Sequence, residues 1–146
     1  MTNVASPFTG RVQALDDVAD EVFAERVVGD GLAVVPTEGT VLAPITGHIE
    51  KLFEGGHAFA IQDAEGVQIL VHVGLDTVHL KGEGFTEHAR QGDDVEVGER
   101  IVTVDLSTME ERGVDMSSPV VEISGRSVKP LASGDVKAGD PLFEVT

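Results

Sequence analysis

Two histidines bound the stretch HAFAIQDAEGVQILVH, His57 at its start and His72 at its end. Imidazole changes charge near neutral pH and serves as nucleophile, proton shuttle or metal ligand. A single histidine in a β protein is ordinarily a core residue whose nitrogens bond to the backbone. Two in register are harder to explain that way, because burying both requires two sets of polar partners. They could share a metal such as zinc. Alternatively, one acts as nucleophile while the other donates a hydrogen bond to the charge that develops.

The spacing bears on whether the rings meet. Asp63, Ala64, Glu65 and Gly66 read as a four-residue hairpin loop, with Gly66 free to take the left-handed conformation. That closure sets Gln62 opposite Val67 and, counting outward, Phe59 opposite Leu70 and His57 opposite His72. Directly opposed β-carbons stand about 4.5–5.5 Å apart. In this register Phe59 and Leu70 share the histidine face, and Ala58, Ala60, Val67, Ile69 and Val71 line the other. A three-residue loop would shift the pairing by one and throw the two rings onto opposite faces.

The rest of the chain must supply the scaffold. Its 146 residues are expected to form one domain, long enough to bury a core without disulfides. Hydrophobic residues make up 41%, yet no apolar run approaches membrane-span length. The N-terminal MTNVASPFTG has neither a basic head nor an apolar stretch, so a cytoplasmic location is expected. There is no cysteine, which excludes disulfides, thiolate metal sites and a thiol nucleophile in this chain. The net charge of −16 argues against a nucleic-acid partner, which needs a basic face, and permits a basic protein partner, although solubility alone accounts for most of the acids.

Short apolar runs recur between turn signals: residues 31–36, 40–45, 57–61, 67–73, 100–105 and 119–124. Helix is scarce. STMEERG (107–113) carries a capping box, Ser107 with Glu110, and Gly113 as its stop; FTEHARQGD (85–93) offers one helical turn or two. SPFTGRV (6–12) is echoed by APITGHI (43–49), and VEVGERIVTV (95–104) by VKAGDPLFEV (136–145). These echoes predict a duplicated strand unit. The expected fold is all-β: an antiparallel β-sandwich of duplicated strand units with one or two very short helices.

Around the second histidine, GVQILVHVGLDT (66–77) has a glycine, three apolar residues, His72, an apolar residue, Gly74, Leu75, Asp76 and Thr77. This resembles the phosphohistidine signature of the glucose-family enzyme IIA proteins of the bacterial phosphotransferase sugar-uptake system. DEVFAERVVGDGLAVVP (20–36), APITG (43–47), HAFAI (57–61), LKGEGF (80–85) and VEVGERIV (95–102) look like the same family, in family order, over nearly the whole chain.

The resemblance implies a compact antiparallel β-sandwich in which His72 accepts a phosphoryl group on Nε2 from the carrier protein HPr. It then passes the group to a cysteine on the IIB domain of a membrane sugar permease. His57 would donate to the phosphoryl oxygens without being phosphorylated. No cofactor is required for this, although the two histidines could hold zinc. Holding Nε2 free requires an acceptor for the Nδ1 proton of His72, and the carbonyl of Gly74 is the candidate. Val22, Phe23, Phe53, Phe59, Leu70 and Val78 would form the apolar docking surface, with at least one phenylalanine expected in the core instead. Asp20 and Asp76 would meet a basic partner, and regulatory protein targets are a further class of partner. Lacking cysteine, the chain is expected to be separate from the IIB–IIC permease.

Three departures from the family pattern matter. Gly55 stands where a threonine is usual, removing a hydroxyl that could orient His57. His79 stands where an acid is common. The first strand begins almost at once, so no membrane-touching tail or anchor is expected. His48 and His88 match no functional position and are assigned to the surface. Three other functional readings compete. A zinc peptidase needs a third ligand and a base, and VHV lacks the second histidine two residues on. A biotin- or lipoyl-carrier needs an exposed hairpin lysine, and Lys81 lacks the flanking pattern. A regulatory binding protein that transfers no phosphate would be distinguished by mutation of His72.

Overall fold

The computed structural model describes residues 2–146. Among these residues the strands are β1 (Thr2–Ala5), β2 (Gly10–Ala14), β3 (Asp30–Pro36), β4 (Thr40–Leu42), β5 (Gly47–Leu52), β6 (Ala58–Gln62), β7 (Gln68–His72), β8 (Phe85–Glu87), β9 (Asp94–Val95), β10 (Arg100–Val104), β11 (Ser118–Glu122), β12 (Val128–Pro130), β13 (Asp135–Val136) and β14 (Pro141–Val145). Two α-helical segments, α1 (Glu21–Ala24) and α2 (Leu106–Glu111), lie between strands. An eight-stranded sheet has the order β13-β2-β3-β11-β7-β6-β5-β9, and two three-stranded sheets have the orders β1-β14-β12 and β4-β10-β8. The pairings are antiparallel, as the short turn-separated runs predict.

The duplication is physical. Gly10 pairs with Val136 and Arg11 with Asp135 at one edge of the large sheet. At the other edge, Gly47 pairs with Val95 and His48 with Asp94. Each echoed segment therefore pairs with its echoed partner in the same register. The two halves also clasp reciprocally: Ala5 N–H donates to the Pro44 carbonyl, and Leu42 N–H donates to that of Pro7.

The main core lies between the large sheet and the two small ones. Phe8, Phe59, Ile61, Ile69, Ile101 and Phe143 are fully enclosed there. Each large aliphatic or aromatic side chain so removed from water contributes roughly 1.5–3 kcal/mol. On the opposite face of the large sheet a smaller cluster forms from Leu15, Val18, Phe23, Ala33, Leu75 and Val121, with Leu70 packed against it. Residues 15–28 lie over that face, and it is this cluster that borders the histidines.

The hairpin differs from expectation by one residue. Ala58 pairs with His72, Phe59 with Val71 and Gln62 with Gln68. Asp63 N–H donates to the Val67 carbonyl, so the loop is the three residues 64–66, with Gly66 at φ 88°. The Asp63 carboxylate accepts from the N–H groups of Glu65 and Val67, both at 2.9 Å, and fixes this tighter turn. Phe59 therefore joins Val71 in the core, whereas Leu70, Ala58 and Ala60 share the face of His72.

Helix α2 is capped by Asp105, whose carboxylate accepts from Ser107 and Thr108 N–H, and not by Ser107. Gly113, at φ 68°, follows its end as expected. The segment 85–93 starts as strand β8 and forms no helix; Thr86 pairs with Thr103. None of the described helices is long and apolar enough to cross a membrane.

Candidate functional site

His72 is the last residue of β7, half-buried, on the sheet face covered by α1. Its Nδ1 lies 2.5 Å from the Gly74 carbonyl, the acceptor expected for it. A carbonyl can only accept, so Nδ1 carries the proton and Nε2 keeps its lone pair. Burial lowers the His72 pKa below the ordinary 6.5, while the Gly74 carbonyl and the charges of Asp20 and Asp76 oppose that shift.

The tighter hairpin would by strand alternation send His57 to the core face, yet the two imidazole centroids are 5.5 Å apart at 69°. Alternation does not carry past the strand end. His57 precedes the first residue of β6 and follows Gly55 and Gly56, both at positive φ. Its carbonyl accepts from Val73 N–H at 2.7 Å, tying this end of the chain beside β7. His57 is only 6% exposed. Burial lowers its pKa first and the neighbouring His72 second, against a contact with the Glu54 backbone. Outside the pair, Phe53 lies 5.6 Å from His57 and Phe23 lies 5.5 Å from His72, completing a row of four rings.

Phe53 of this row is 36% exposed, and Val22, next to Phe23, and Val78, on the segment after the signature glycine, are 47% and 53% exposed. A rim of this kind suits a protein partner. Phe23 is buried against His72, and Leu70 is half-buried beneath it, so both support the ring more than they present surface. Phe59 is wholly core and leaves the docking set, which places one phenylalanine in the core as anticipated. Asp20 caps α1 through Val22 N–H at 2.9 Å, and Asp76 is exposed just after the signature glycine.

His48, His79 and His88 are exposed. His48 pairs with Asp94 at 3.0 Å and His88 with the Thr103 hydroxyl at 2.6 Å, so neither joins the site. Among the described residues no group of three or more His, Cys, Asp or Glu side chains is arranged to hold a metal. Two imidazoles alone do not complete a zinc site, which takes three or four protein ligands. A zinc peptidase, which also needs a third ligand and a base, is therefore not favoured.

Gly55 shows why threonine is missing there. Its φ is 94°, and a β-carbon would stand 2.9 Å from the backbone of Gly82. Gly55→Thr is therefore expected to destabilise the protein by about 1–3 kcal/mol, with no gain in any activity of His57. Thermal unfolding checks this; an unchanged midpoint contradicts it.

The β-sandwich thus sets two imidazoles side by side, one with Nε2 free, next to exposed apolar side chains. Residues 2–128 match the family model for the phosphoenolpyruvate-dependent sugar phosphotransferase system, EIIA 1. The glucose-specific EIIA component of the phosphotransferase system of Oceanobacillus iheyensis is 39% identical, covering 94% of this chain and 85% of that protein. The N-acetylglucosamine-specific EIICBA component of Klebsiella pneumoniae is 44% identical over 98% of this chain, which spans 23% of that longer protein. Among solved structures, the glucose permease IIA from Mycoplasma capricolum aligns with a TM-score of 0.92 and 39% identity, covering 97% of this chain and 94% of that one. The chain belongs to the EIIA 1 family of the sugar phosphotransferase system, and is a phosphotransferase component.

Proposed function

We propose that His72 Nε2 accepts a phosphoryl group from phosphorylated HPr and passes it to the IIB cysteine of a sugar permease, in the cytoplasm. The observation that carries this reading is the 2.5 Å contact between His72 Nδ1 and the Gly74 carbonyl, because it leaves Nε2 as the nucleophile. In the first transfer the Nε2 lone pair forms a bond to phosphorus while the donor's bond breaks, its electrons returning to the donor. In the second, the IIB thiolate attacks and the electrons of the N–P bond return to Nε2. The Nδ1 proton stays in place throughout. Such transfers ask for positioning and charge stabilisation more than for bond chemistry. His57 donates to the phosphoryl oxygens. Val22, Phe53 and Val78 meet the partners, while Asp20, Asp76 and the −16 net charge steer a basic face toward them.

Incubation with phosphoenolpyruvate, enzyme I and HPr is expected to give an acid-labile phosphoprotein by mass spectrometry, and omission of HPr to abolish it. No label in the full mixture, or label without HPr, contradicts the reading.

With the pKa of His72 depressed, the neutral nucleophile predominates down through pH 6.5 and protonates only below it. The unfolded chain binds more protons than the native one in that region, so stability falls as pH drops through it. An NMR titration of the His72 ring should therefore have its midpoint below 6.5; a midpoint at or above that value contradicts the buried, neutral ring.

A further inference from the structure

We propose that Ser118, distant in sequence and at the start of β11, is a positioning residue that sets the tautomer of His72 through the peptide at Gly74. The inference rests on the reading of His72 as phosphoryl acceptor.

Both peptide units flanking Gly74 are pinned at both ends. In the first, the Val73 carbonyl accepts from the Thr77 hydroxyl at 2.8 Å, and Gly74 N–H donates to Ser118 Oγ at 3.0 Å. In the second, Leu75 N–H donates to the Asp115 carbonyl at 2.8 Å, and the Gly74 carbonyl faces His72 Nδ1. One glycine α-carbon joins the two units, so these bonds fix the direction of the carbonyl that holds the imidazole proton.

Gly74 cannot be held by a side chain of its own. Its φ is 74°, and a β-carbon would lie 2.9 Å from Thr77 Cγ2 and 3.0 Å from Met116 Sδ. Glycine takes this conformation without steric cost and, left unpinned, it is also the residue freest to leave it. Ser118 supplies the constraint. Its hydroxyl proton goes to the Met116 carbonyl at 2.7 Å, which turns an Oγ lone pair toward Gly74 N–H. The side chain is fully buried, so no solvent replaces it.

Removing that hydroxyl leaves Gly74 N–H buried without an acceptor. Such a group is costly to leave unmet and favours rotation about the glycine. The carbonyl then swings off Nδ1, and the imidazole is free to carry its proton on Nε2, where it blocks attack on phosphorus. Ser118→Ala is expected to slow phosphoryl acceptance about ten-fold, the scale of one net hydrogen bond of about 1.4 kcal/mol. Ser118→Thr keeps the hydroxyl and should restore the rate.

The deciding readout is the pair of imidazole ¹⁵N shifts of His72 in the unphosphorylated protein above pH 7.5. The parent protein and Ser118→Thr should show a protonated Nδ1 and a bare Nε2; Ser118→Ala should show shifts averaged between the tautomers. Unchanged shifts in Ser118→Ala overturn the proposal. The His48 and His88 rings, bonded to Asp94 and Thr103, report whether the fold is intact. If alanine disrupts it, Ser118→Cys, of similar size but with a weak acceptor, gives the same two-way answer. Because this is read without phosphate, a negative result counts against Ser118 alone. Failure of the parent protein to take phosphate counts against the acceptor reading.

Discussion

His72→Gln takes up no phosphoryl group from HPr, however long the incubation. The glutamine side chain fills similar space, but its amide nitrogen has no available lone pair for phosphorus. The protein should remain folded, since the ring is half-buried at a strand end and the main core lies on the other face of the sheet. Mass spectrometry of the mutant in the complete phosphoenolpyruvate–enzyme I–HPr mixture checks this, with thermal unfolding as a control. Labelling of a folded His72→Gln protein would move the acceptor elsewhere.

The second large effect is expected at His57. His57→Gln still accepts phosphate to completion, because the nucleophile and its Gly74 contact are untouched. Onward transfer to IIB is expected to slow by about 10²–10³, the usual cost of losing one donor aimed at developing charge. The ring is suited to that role by position: it is 5.5 Å from His72, buried on one side against Phe53, and tied to β7 through its own carbonyl. Rapid-quench transfer from the phosphorylated mutant to a IIB domain measures it. A rate equal to that of the parent protein would reduce His57 to a packing residue.

Much of this was legible in residue order. Turn-separated apolar runs located β3, β6, β7, β10 and β11 within a residue or two, and the echoes foretold pairings at both sheet edges. The histidine hairpin was read one residue out of register, because loop length alone does not reveal that Asp63 folds its carboxylate back onto Glu65 and Val67. The rings meet for a reason strand alternation could not supply: two positive-φ glycines release His57 from the pleat just before β6 begins. The family resemblance implies Phe59 as part of the docking rim, whereas the observed register turns it into the core. The α1 segment was not anticipated, since four residues carry no periodicity; its cap, Asp20, was noticed only as a charge.

Ser118 illustrates a different limit. It opens an apolar strand 44 residues beyond Gly74, and nothing in its neighbourhood marks it as part of the site. Only the antiparallel pairing of β11 with β7 brings that end of the chain beside the signature glycine. Position-by-position reading finds the group that does chemistry more easily than the group that aims it.

In the proposed mechanism one particular nitrogen, held bare in a neutral ring, carries the phosphoryl group. Long-range ¹H–¹⁵N correlation with ³¹P coupling on the phosphorylated protein tests it directly. Phosphorus coupled to Nε2 of His72, with the proton still on Nδ1, is the predicted result; phosphorus on Nδ1, on His57 or on any other side chain would contradict it.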